Sequence, residues 1–188
     1  MAKLYRYGGI AASIVLVAFG IGALYMGVSG RGYVRDNLAA EKIVGTDDST
    51  IPGQLVDTGS EAQAFAKVMR KHTLEATGGK TYAQMPRFMG KDGQPTNDAK
   101  AAAVNPKSGA PVDNPARNIW VTETALSTAL NTAYFAESTA TFVIVMGIAM
   151  FLTGIGFLVL TLGVLRGPAA VKEKSRTSPV KEAVAVPH

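Results

Sequence analysis

Two stretches of this chain, residues 7–30 and 138–165, contain no Asp, Glu, Lys, Arg or His over 24 and 28 residues. Each exceeds the roughly 20 apolar residues that a helix needs to cross a bilayer. The second run holds fifteen Val, Ile, Leu and Phe residues. At about −0.3 to −0.6 kcal/mol for each one near a helix centre, they favour insertion by several kcal/mol. A buried core helix of that length without a single charge is a poor alternative. The first run is diluted by Gly8, Gly9, Gly20, Gly22, Gly27 and Gly30. With Lys3 and Arg6 in front and Val28-Ser29-Gly30 behind, it also has the outline of a signal peptide. Its apolar part is longer than such peptides use, so a retained membrane helix is the expectation. The chain has no cysteine, which removes lipoprotein anchoring and disulfides.

The formal charge of +5 then acquires a meaning. Residues 1–6 contribute +2, residues 31–137 balance twelve basic against twelve acidic side chains, and residues 166–188 contribute +3. A basic excess confined to the ends is a topology signal rather than a nucleic-acid surface, because Lys and Arg beside a span stay cytoplasmic. The expected order is a cytoplasmic N-terminus at 1–6, a transmembrane helix at 7–30 and an extracytoplasmic segment at 31–137. A second transmembrane helix at 138–165 and a basic, unordered cytoplasmic tail at 166–188 complete it. The location that follows is the cytoplasmic (inner) membrane, with two passes.

Within the outer segment, Val34, Leu38, Ala39 and Ile43 recur at helical spacing, with Gly45 as a stop. Ser60-Glu61-Ala62-Gln63 has the form of a capping box and opens a helix that presents Ala64, Phe65, Val68 and Met69 and ends at Gly78-Gly79. Residues 82–115 are dense in Gly, Pro, Asn and Asp, so a long irregular loop is expected there, without strands. From Asn118 an amphipathic helix runs without Gly or Pro into the second span, as one rod of about 45 residues. Tyr134 and Phe135 suit the membrane boundary better than Trp120 does. The fold class is thus an all-α membrane protein, two transmembrane helices forming a hairpin with helical extracytoplasmic extensions.

Small side chains mark the helix faces expected to pack. Ala133, Ala140, Gly147, Gly154 and Thr161 fall seven apart, as do Ala149, Gly156 and Gly163. Residues two helical turns apart share a face, and small ones permit close backbone approach. In the first span, Gly9/Ser13, Ala18/Gly22 and Ala23/Gly27 are small pairs four apart. Two small faces on one helix exceed what a single partner needs, so other integral membrane subunits, or a second copy, are the expected partners alongside the lipid bilayer.

The chemical inventory is sparse. Gly78-Gly79-Lys80-Thr81 lacks the first glycine of a phosphate-binding loop, that position being Leu74, and it ends a helix rather than opening one. Met69, His72, Met85 and Met89 are the residues from which a soft-metal site could be imagined. Packing and solvent exposure explain them more simply. Glu123 and Glu137 read as carboxylates on a solvated face. No catalytic residue, cofactor or metal ligand is assigned.

At Gly78-Gly79-Lys80-Thr81-Tyr82-Ala83-Gln84-Met85, at Ala116-Arg117-Asn118-Ile119-Trp120-Val121-Thr122-Glu123-Thr124-Ala125-Leu126 and at Leu130-Asn131-Thr132-Ala133-Tyr134-Phe135-Ala136-Glu137, the chain resembles a family of small two-span actinobacterial membrane proteins of unassigned function. The resemblance implies the topology and the membrane location and carries no catalytic residue. The expected function is a non-catalytic accessory or structural subunit of a larger membrane complex. The alternatives are an extracytoplasmic ligand-binding or sensing module and, third, an auxiliary subunit of a copper- or quinone-linked oxidase.

Overall fold

The computed structural model describes residues 2–163. The tail at 166–188, expected to be basic and unordered, lies outside the described residues. Among the described residues, three helices carry the fold: α1 (Ala2–Ala40), α2 (Gly59–Ala76) and α3 (Pro115–Gly163). Between α2 and α3 lie a short 3-10 turn (Tyr82–Gln84) and two strands, β1 (Phe88–Met89) and β2 (Pro95–Thr96), paired antiparallel. Both α1 and α3 are long and apolar enough to cross a membrane. At 1.5 Å per residue, the 49 residues of α3 make a rod of about 74 Å.

α1 lies along α3 through a seam with a seven-residue repeat. Leu130, Glu137, Ala140, Gly147, Gly154 and Thr161 are buried on α3, with half-buried Ala133, Ile144, Phe151 and Leu158 between them, so the contacts step by three and four. Facing them on α1, the buried positions within the apolar run are Ser13, Gly20 and Gly27. A period of 3.5 keeps such a seam facing its partner along the whole length. The pairs run in opposite order, Gly9 against Thr161, Gly20 against Gly147 and Gly27 against Ala140, which makes the helices antiparallel.

Glycine is required at this seam because backbone meets backbone. A Cβ at Gly20 would lie 2.7 Å from the Phe151 nitrogen, and one at Gly147 would lie 3.0 Å from the Gly20 carbonyl oxygen. Ser13, almost fully buried, donates its hydroxyl to Gly9 O at 2.7 Å and so brings no unpaired polar group into the seam.

Past the apolar runs the two helices gain a third layer. Leu38 of α1, Val56, Ala62 and Ala66 of α2, and Leu130 of α3 form the outer core, with Val34, Ile43, Ile51, Phe65 and Met69 packed around it. Several local expectations need correction. α1 stops at Ala40, and Lys42 turns the chain with φ 54°. Ile43 reaches the core from an extended segment whose N–H and C=O groups pair with 54–56, not from a helix. Gly45 is a point of close approach to Ile51 rather than a helix stop.

The capping box of α2 begins two residues before Ser60. Thr58 is the N-cap, its hydroxyl accepting from Glu61 N, while the Glu61 carboxylate accepts from Thr58 N. The helix does end at the expected glycines, Gly78 and Gly79, both at positive φ. α3 begins at Pro115, three residues before Asn118. Asn114, whose side chain accepts from Ala116 N, precedes a proline whose fixed φ suits the first helical turn.

Residues 82–115 are more organised than an irregular loop. Besides β1 and β2, single bridges join Phe88 to Asp113, Gly90 to Ala102 and Val104 to Pro111. These bonds fold the segment into a small lobe, which qualifies the all-α expectation. Buried Asn114 closes the lobe, donating its side-chain amide to Pro86 O and its backbone N–H to Arg87 O.

Candidate functional site

Arg31 is the first charge after the first apolar run and Glu137 the last before the second. Separated by 106 residues in sequence, they meet where α1 and α3 leave their apolar portions, Arg31 Nε donating to Glu137 Oε1 at 2.8 Å. The second carboxylate oxygen, Oε2, accepts from the backbone N–H of Gly59, the first residue of α2. One buried carboxylate therefore ties α1, the positive end of α2, and α3 together. An anion at a helix N-terminus also opposes the helix dipole.

Gly59 is needed because a Cβ there would fall 2.8 Å from both Glu137 Oε2 and the Tyr134 Cα. Only a bare backbone lets α2 start this close to α3. The expectation that Glu123 and Glu137 are solvated is corrected: they are 4% and 8% exposed. Glu137 is met by Arg31 and Gly59, both distant in sequence, and helical spacing alone does not reveal such partners.

Trp120 packs against the end of α2. It is buried, and its indole N–H reaches Thr77 Oγ1 at 3.3 Å and Lys80 O at 3.0 Å, fixing α3 against the end of α2. The Arg70 guanidinium lies 5.2 Å from its ring centroid. Phe135 remains exposed.

A second clasp holds the 41–58 segment to α2. Asp48 Oδ2 faces both Lys71 Nζ and His72 Nε2 at 2.9 Å, and Thr46 donates to Oδ1. The hydrogen bond from Lys71, then those from His72 and Thr46, hold the Asp48 carboxyl well below the usual carboxylate range. Asp48 in turn raises the Lys71 ammonium above its ordinary value. His72, the nitrogen ligand of the imagined soft-metal set, is engaged in this clasp. No group of three His, Cys, Asp or Glu able to hold a metal occurs among the described residues.

The small residues divide by face. Ala140, Gly147, Gly154 and Thr161 lie in the seam, and Ala133 continues their line against the outer core. Among the described residues, Gly156 and Gly163 meet nothing within 4 Å, and Ala149 is exposed. On α1, Gly27 packs on Ile144 and Ala140 and Ala23 is half-buried, whereas Ala18 is exposed and Gly22 meets nothing. Gly20, absent from the expected pairs, is central to the seam.

Arg31, Glu137 and Gly59 were also not singled out as a site. Their available signal was a lone cation and a lone anion at the inner edges of two charge-free runs. Comparison with protein-family models, curated proteins and solved structures finds no match to this chain.

Proposed function

We propose that this chain is a non-catalytic accessory or structural subunit of a larger complex in a cytoplasmic membrane, akin to the small two-span proteins it resembles. In this reading α1 and α3 form a transmembrane hairpin, both ends face the cytoplasm, and residues 31–137 stand outside. The observation that carries it is the second small-residue row of α3. Ala149, Gly156 and Gly163 follow seam residues Gly147, Gly154 and Thr161 by two positions, about 200° around the helix, and stay open. The chain's own α1 occupies one face, and the opposite face has the same fitness for close approach. Lipid chains gain little from such a stripe, whereas a neighbouring helix gains van der Waals contact along its length.

The test is extraction in mild detergents, followed by native mass spectrometry and identification of co-purifying subunits. A complex larger than one chain is expected, and Gly156→Leu should disperse it while leaving the fold's melting temperature unchanged. A lone monomer in every detergent would overturn the reading.

A further inference from the structure

Between α2 and the outer half of α3 a recess of about 240 Å³ opens to solvent, with Lys67, Arg70, Glu123, Ser127 and Asn131 in its walls. At roughly 30 Å³ per water, that volume matches a ligand of about eight heavy atoms. Its charges are arranged unusually. Glu123 on α3 is 4% exposed, yet no Lys, Arg or His nitrogen among the described residues lies within 4.0 Å of it. Among the described residues it receives only neutral donors, Ser127 Oγ at 2.8 Å and Thr124 Oγ1 at 3.4 Å. A carboxylate has about four acceptor positions, and burying its charge without a counter-charge is unfavourable.

On the α2 wall, Lys67 and Arg70 form no ion pair among the described residues. Lys67 has only a 3.4 Å contact with Gln63, and Arg70 is placed by its approach to the Trp120 ring. Asn131 donates its side-chain amide to Ser127 O, which leaves its Oδ1 without a hydrogen bond among the described residues.

We propose that this recess binds a small zwitterion of the α-amino acid class. The ligand's ammonium meets Glu123 and Asn131 Oδ1, and its carboxylate meets Arg70 and Lys67. A simple cation leaves the α2 wall's two positive charges unanswered and is repelled by them. A simple anion leaves Glu123 uncompensated. A ligand carrying both signs a few bonds apart satisfies both walls.

The experiment uses the full chain in detergent or nanodiscs and ligand-observed NMR titrations with the twenty common amino acids. Ethanolamine and 3-hydroxypropionate serve as single-charge counterparts of serine. At least one amino acid is expected to bind with Kd of about 1 mM or tighter and at least about tenfold better than its single-charge counterparts. Glu123→Gln, which keeps the shape and an acceptor for Ser127, and Lys67→Met, on an exposed position, should each weaken it about tenfold. A melting curve checks that each variant is folded, and Lys67→Met decides if the buried substitution is not. No saturable binding of any amino acid overturns the proposal. So does binding matched by a single-charge counterpart, or binding indifferent to these substitutions.

Discussion

Glu137 concentrates much of the molecule's geometry in one side chain. Its two oxygens hold Arg31 and the first turn of α2, and its backbone carbonyl accepts from Thr141 Oγ1. Removing it leaves the Gly59 N–H and the Arg31 guanidinium without their acceptor. Glu137→Ala is therefore expected to destabilise the fold by about 2–4 kcal/mol, the range for charged hydrogen bonds lost from a buried site. Arg31, with 48% of its side chain exposed, is replaced by water more readily, and Arg31→Met should cost about 1 kcal/mol. Denaturant titrations followed by circular dichroism measure both, and equal stability of Glu137→Ala and the parent would mean that Glu137 does not hold the three helices together.

The Asp48 clasp makes a pH prediction. Because the folded-state value is depressed, its contribution is fully present above the ordinary value of 3.8 and is lost only as pH falls through the lower, folded-state value. Lys71 acts in the opposite sense: its raised value gives a contribution present at neutral pH and lost as pH rises through that value. The Asp48 carboxyl carbon shift should titrate below the normal Asp range and move upward in Lys71→Met. An ordinary midpoint in the parent would sink the assignment.

At the scale of elements, glycine at different helical phases has opposite consequences. Gly20→Ala places a methyl 2.7 Å from the backbone of α3 and must part the helices. Gly22→Ala meets nothing and gains up to about 1 kcal/mol of helix propensity. The expected order of melting temperatures is Gly22→Ala at or above the parent and Gly20→Ala clearly below it. The reverse order would mean that the seam runs elsewhere.

The seam was legible on α3, where seven-residue spacing follows a single line of small side chains. It was less legible on α1, because six glycines in one run occupy several phases. Pairs four apart select neighbours on the helix surface, but a 3.5-residue period selects Ser13, Gly20 and Gly27. The start of α2 shows the same limit. Thr58-Gly59-Ser60-Glu61 and Ser60-Glu61-Ala62-Gln63 both fit a capping box, and the contact of Gly59 with Glu137, far away in sequence, selects the first.

At the scale of the whole molecule, the two long helices were readable because charge exclusion over 20 or more residues is a local property. The 82–115 lobe was not, since its order resides in bonds such as Met89 N to Val112 O and Ala103 N to Met89 O. Each joins residues separated by other turns, and no run of alternating side chains announces it. The polar recess was hidden for a related reason: its opposing walls belong to helices whose surfaces each read as ordinary solvated faces.

The unbroken course of α3 through the Glu137 junction has a further consequence. With no glycine or proline between Asn118 and Met146, the seam inside the apolar run and the outer lobe's attachment share one rotational phase. Each residue advances a helix by about 100°, so removing one between Glu137 and Ala140 would swing the lobe to another azimuth about the rod. Removing seven would return it to within about 20°. The protein is in this sense a crankshaft, whose outer arm is aimed by the register of the helix beneath it.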